Sequence, residues 1–96
     1  MSEQTDIGIM TKIEPPQFYY VVLYNDNVTT VDFVIELLQT VFDKDIATAT
    51  EITVRVHTEG QGIVDRYPYD IAVSKQMQAQ NMAARNNFPL KVGVRL

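Results

Sequence analysis

The sequence predicts an α+β domain, with helices packed on one side of a small sheet. Three observations lead there. A strand-like run, Phe18 to Tyr24, is followed at once by a helical pattern from Thr30 to Phe42. Two further β-rich runs, Ile63 to Tyr67 and Leu90 to Arg95, flank a second long stretch of helix formers. At 96 residues the chain has room for one domain, with a modest core that buries roughly 60–65% of the unfolded surface.

Residues 1–17 are polar, contain Pro15-Pro16 and show no sustained period. They read as a flexible N-terminal arm, and the diproline keeps regular structure from propagating across it. Residues 18–96 form the core domain. Phe18 to Tyr24 is aromatic, β-branched and apolar on both faces, as a well-covered strand is. Asn25-Asp26-Asn27 is turn chemistry. Thr29 precedes Asp32 by three residues, which resembles a capping box with Asp in place of Glu. Val31, Val34, Ile35, Leu38 and Val41 then recur at helical spacing, with Asp32, Glu36, Gln39 and Thr40 on the opposite stripe.

The segment from Asp45 to Gly60 supports two readings. Ile46, Ala49, Ile52, Thr53 and Val56 fit a helix capped by Asp45 and ended by Gly60. Ile52, Val54 and Val56 also alternate with Thr53, Arg55 and His57, as a strand would. Beyond Gly60 and Gly62, Ile63 to Tyr67 reads as a strand, and Tyr69 to Asn86 as a helix opened by Pro68 and Asp70. Asn86-Asn87 ends that helix, and Leu90 to Arg95 forms a last strand.

Composition excludes several classes of function. With no cysteine, a disulfide scaffold, a Cys-ligated zinc and a Cys nucleophile are impossible. With His57 as the only histidine, a multi-histidine metal site is impossible too. A net charge of −4 and no basic stripe argue against nucleic acid as the partner. No apolar run reaches the length of a membrane span, and the N-terminus lacks the basic and apolar regions of a secretory signal. A cytoplasmic protein is expected. Thr29 and Thr53 stand in no context that would activate a hydroxyl nucleophile, so no catalysis and no cofactor are expected.

A set of short motifs, in a particular order and spacing, adds to this. They are Pro15-Pro16, "VVLYNDN" from Val21, "TTVDFV" from Thr29, Val56-His57, "GQGI" from Gly60, "AVSK" from Ala72 to Lys75, and "FPL" from Phe88 to Leu90. Together they resemble the ClpS family, bacterial adaptors that deliver N-degron proteins to an ATP-dependent Clp protease. The resemblance implies three antiparallel strands and three helices in the order β-α-α-β-α-β. It therefore favours the helical reading of residues 46–58.

The resemblance also implies a site. Asn25, Asp26, Asn27 and His57 match positions that hold the free α-amine of a peptide's first residue. Thr29, Val31, Val34, Thr53, Val56 and Leu90 match the apolar pocket for its side chain. Asp70 and Lys75 match the surface that docks on the N-domain of a ClpA-type AAA+ unfoldase, and the arm matches the extension used in handing substrate over. The implied partners are that unfoldase and N-degron proteins or peptides, with no nucleic acid or membrane, and the adaptor is taken to act as a monomer. Taken alone, Asn25-Asp26-Asn27 is also an ordinary turn, Val31, Val34 and Val56 also sit at core spacing, and Asp70 and Lys75 are also ordinary surface charges. Three positions depart from the family pattern. Asn27 stands where an acidic residue is usual, which removes a charge-assisted bond. Val31 and Thr53 stand where methionine is frequent. The alternative considered is a different interaction domain of related architecture, such as the C-terminal domain of the ribosomal stalk protein. Lysine and glycine mark that family's helices, whereas the helices here are acidic or neutral and Gln-rich.

Overall fold

The structure is a computed structural model and describes residues 15–96. Most of the predicted arm lies outside the described residues; Pro15 to Gln17 are exposed and carry no regular structure. Six elements follow: β1 (Phe18–Tyr24), α1 (Val31–Thr40), α2 (Ile46–Glu59), β2 (Gln61–Pro68), α3 (Tyr69–Arg85) and β3 (Lys91–Arg95). The strands form one antiparallel sheet in the order β2-β1-β3. This is the predicted fold.

The central place of β1 explains why it is apolar on both faces. Val21 and Leu23 point into the core shared with Leu37, Leu38, Ile52, Ala72 and Val92. Val22 points the other way, between Ile63 and Gly93, and is buried as well. β2 runs longer than its apolar stretch suggested. A bulge between Val21 and Val22 leaves Val64 as an extra residue, and Val64 joins the core.

The helix α1 starts one residue later than the capping box implied. Its cap is Thr30, whose Oγ1 accepts the Phe33 amide at 3.2 Å. Thr29 instead closes the preceding turn, its amide and hydroxyl both donating to Asp26. The helix ends at Thr40 rather than Phe42, although Val41 and Phe42 remain buried.

The ambiguous segment is helical. Asp45 Oδ1 accepts the Thr48 amide at 2.8 Å, and Gly60, at φ 89°, closes α2 in the left-handed region. Ala49, Ile52, Thr53 and Val56 form its buried stripe at spacings of three and four. Two end caps and a continuous buried face outweigh the β preference of its Val, Ile and Thr residues. In α3 the buried residues are Ala72, Ala79 and Ala83, small enough for the helix to lie close against the sheet. Asn87, at φ 62°, turns the chain from α3 towards β3.

Candidate functional site

The loop between β1 and α1 is built by one side chain. Asp26 Oδ1 accepts the amides of Val28 (2.8 Å) and Thr29 (2.7 Å), and Oδ2 accepts the Thr29 hydroxyl at 2.8 Å. This is an Asx-type turn. Burial works to raise the carboxyl's pKa, but the bonds from Thr29 and Val28 prevail and hold it below the ordinary carboxylate value. Asp26 is thus ionised and spent on shaping the loop. Its negative charge still lies at the site.

A second bond joins this loop to the end of α2. The Asn25 amide donates to the Gly60 carbonyl at 2.9 Å. Gly60 can present that carbonyl because it adopts the left-handed conformation that closes the helix. The end of α2 that carries His57 is thereby tied to the loop that carries Asn25 and Asn27.

Between them lies a cavity of about 260 Å³, lined by Asn25, Asp26, Asn27, Thr29, Val31, Val34, Thr53, Val56 and His57. Nine of the ten sequence-predicted amine and pocket residues meet there. The tenth, Leu90, sits in the hydrophobic core and does not line this cavity. The lining divides by exposure. Asn25, Asn27 and His57 are exposed, as is Val31 at 50%. Val34, Thr53 and Val56 are 3–5% exposed and form the floor. Among the described residues, the side-chain polar atoms of Asn25, Asn27 and His57 bond to no other protein group.

Thr53 is less polar towards the cavity than its identity suggests. Its hydroxyl donates to the Ala49 carbonyl of its own helix at 2.7 Å, so that proton is unavailable to a ligand. The result is a polar, open rim over a largely apolar floor. The rim offers amide and imidazole acceptors and the floor offers apolar contact, so the cavity suits a small group that is cationic at one end and greasy at the other.

The two residues matched to unfoldase docking lie elsewhere. Asp70 is exposed in the first turn of α3, its Oδ1 accepting the Ile71 amide at 3.0 Å. Lys75 is half-buried and donates to the Val41 carbonyl at 2.7 Å. Sequence reasoning missed this bond, the Asn25–Gly60 tie and the loop-building use of Asp26. A lysine at helix spacing carries no sign of a partner 34 residues back in the chain.

Among the described residues there is no group of three or more His, Asp or Glu side chains able to hold a metal ion. No described helix is long and apolar enough to cross a membrane.

Comparison with known proteins defines the class. The family model described as "ATP-dependent Clp protease adaptor protein ClpS" matches residues 14–93. The chain belongs to the ClpS family of Clp protease adaptors. The ClpS adapter of Clostridium acetobutylicum is 49% identical over 81 residues, covering 84% of this chain and 80% of that protein. That of Acetivibrio thermocellus is 48% identical over 92 residues, covering 94% and 93%. Among solved structures, Agrobacterium tumefaciens ClpS2 bound to L-phenylalaninamide superposes with a TM-score of 0.82 at 30% identity, covering 84% of this chain and 98% of that one. Membership of this family sets aside the ribosomal-stalk alternative.

Proposed function

We propose that this protein is a non-catalytic substrate adaptor, acting in the cytoplasm. It binds proteins that begin with a bulky hydrophobic residue and delivers them to a ClpA-type AAA+ unfoldase. The observation that carries the reading is the cavity: three acceptors with no partner among the described residues stand on its rim, over an apolar floor of single-side-chain size. A primary ammonium has three N–H donors. Asn25 and Asn27 offer amide oxygens to it, and His57 offers a ring nitrogen when neutral. Asp26, which also lines the cavity, contributes negative charge that compensates in part for the absence of a carboxylate at Asn27. The first side chain then rests on Val34, Thr53 and Val56. A volume of about 260 Å³ lies below the usual ~300–1,000 Å³ of small-molecule pockets, as suits one residue and not a larger ligand. The phenylalanine amide bound by the Agrobacterium protein has both a free amine and a bulky apolar side chain, which agrees with this reading.

The test is a binding scan of peptides that differ only in their first residue, with N-acetylated controls. Free Leu, Phe, Tyr and Trp termini are expected to bind, and acetylation to abolish binding. Acetylation removes the charge and two donors, and each acceptor left covered without a partner costs about 1–3 kcal/mol. Equal binding of acetylated and free peptides overturns the reading.

A further inference from the structure

Gly62, the second residue of β2, is buried, pairs with Leu23 and backs onto α2. A Cβ at this position would lie 2.8 Å from Val56 Cγ2, and 3.5 Å from the Ile52 carbonyl oxygen and the Val56 nitrogen. Carbon atoms rest at about 3.5–4.0 Å, so even a methyl group here displaces Val56 or parts the strand from the helix. The backbone at Gly62 is not left-handed, so the glycine serves close approach.

Val56 is the side chain that a Gly62 Cβ would strike, and it also lines the cavity. Its χ1 is held by the helix, so it does not rotate freely out of the way. The strand side is rigid as well. Gln61, Gly62 and Ile63 are paired to β1, and the Gly60 carbonyl accepts the Asn25 amide at 2.9 Å. Val56 itself lines the cavity of the candidate site, whereas the neighbouring groove is lined by Arg55, Glu59, Gln61, Gly62 and Ile63 and not by Val56.

We propose that Gly62 is a positioning residue for specificity. By lacking a Cβ it lets Val56 stand back, and so sets the depth of the cavity and the largest first side chain admitted. The inference rests on the proposed function above and names the residue behind the wall that limits it.

The experiment measures binding of three free-amine peptides, identical except for Trp, Phe or Leu at the first position, to the full chain. The proteins are the wild type, Gly62→Ala, Val56→Ala, and the double variant. In Gly62→Ala the Trp-to-Leu affinity ratio is expected to fall about tenfold, the scale of one misplaced methyl group in a fitted pocket. In the double variant the ratio is expected to return, because the displaced methyl groups are gone. General loosening of the fold would weaken all three peptides alike and would not be rescued by a second truncation. A folded Gly62→Ala protein with an unchanged ratio overturns the proposal, and so does a lowered ratio that the double variant fails to restore. If Gly62→Ala does not fold, Val56→Ala decides. A raised Trp-to-Leu ratio supports Val56 as the depth-setting wall, and an unchanged one overturns it. If the wild type binds none of the three peptides, the functional reading itself fails and the proposal with it.

Discussion

The two ends of α1 use polar residues in opposite ways. At its C-terminal end the fold satisfies its own groups. Lys75 donates to the Val41 carbonyl at 2.7 Å, the Lys44 amide donates to the Leu38 carbonyl at 3.1 Å, and the Lys44 ammonium pairs with Asp65. At the N-terminal end Asp26, Thr29 and Thr30 serve the fold, the first two bracing the loop and the third capping the helix. Asn25, Asn27 and His57 stand exposed around a cavity, with no protein partner among the described residues. The contrast separates polar residues that serve the fold from those proposed for recognition by what they touch. Residue type does not separate them, since Asp26 lies between two residues of the other kind.

The largest expected effect breaks the N-terminal end at its brace. Asp26→Ala removes three hydrogen bonds to a carboxylate and is expected to cost about 2–3 kcal/mol of stability and to weaken peptide binding. The native carboxyl titrates below its unfolded value, so its contribution is fully present above pH ~4 and is lost as pH falls through the native pKa. Denaturant unfolding of wild type and variant should therefore differ at neutral pH and converge in acid. A difference that persists undiminished in strong acid would show that the carboxylate is not what braces the loop.

The C-terminal end gives the next effect. Lys75→Met keeps the aliphatic stem and removes the bond to Val41. It should cost about 1.5–2 kcal/mol, the lower part of the range for a charged donor, because the group is only half-buried. Peptide affinity should not change, because Lys75 does not line the cavity. His57→Ala should show the reverse pattern: a roughly tenfold loss of peptide affinity, with stability within about 0.5 kcal/mol of wild type. If Lys75→Met weakened binding while His57→Ala destabilised the fold, the division between the two ends would be wrong.

How much of this was legible in the sequence follows from the range of the forces involved. Helical period, end caps and turn residues act over a few positions, so α1, α3 and all three strands could be read directly. The caps Asp45 and Gly60 were equally visible, yet α2 stayed ambiguous because its Val, Ile and Thr residues suit a strand as well. Burial of Ala49, Ile52 and Val56 settles the matter, and that depends on distant partners. Nine of the residues around the cavity could be named only through a resemblance, since a turn of Asn-Asp-Asn is common and valines at core spacing normally pack. Leu90, named with them, went to the core. Whether a polar side chain is free or occupied was not legible at all. Nothing local marks Lys75 as the partner of Val41, or Gly62 as the space into which Val56 fits.

The smallest expected effect concerns the rim. Val31 is 50% exposed at the cavity mouth, while Val34 below it is 5% exposed. A valine ends at Cγ, whereas a methionine continues through Sδ to Cε and can reach over the opening. Valine is also stiff at χ1, so it does not swing across. Thr53 offers no compensating bulk, since it is short and its hydroxyl is turned to the Ala49 carbonyl. The mouth is therefore open to side chains branched at Cβ. Selectivity is a difference between affinities, and a site that builds no clash against a branched Cβ discriminates only by fit. Ile- and Val-initiated peptides should accordingly bind within about tenfold of Leu. Val31→Met should raise the Leu-to-Ile ratio, because the longer side chain crowds the branch while leaving an unbranched Cβ clear. Its half-exposed position limits the effect to about 1 kcal/mol, or roughly fivefold, at the low end of what a single misfitted methylene is worth. Competition between Leu- and Ile-initiated peptides for the two proteins measures this directly. An unchanged ratio would mean that Val31 only starts its helix and that discrimination is set at the floor, by Val34, Thr53 and Val56.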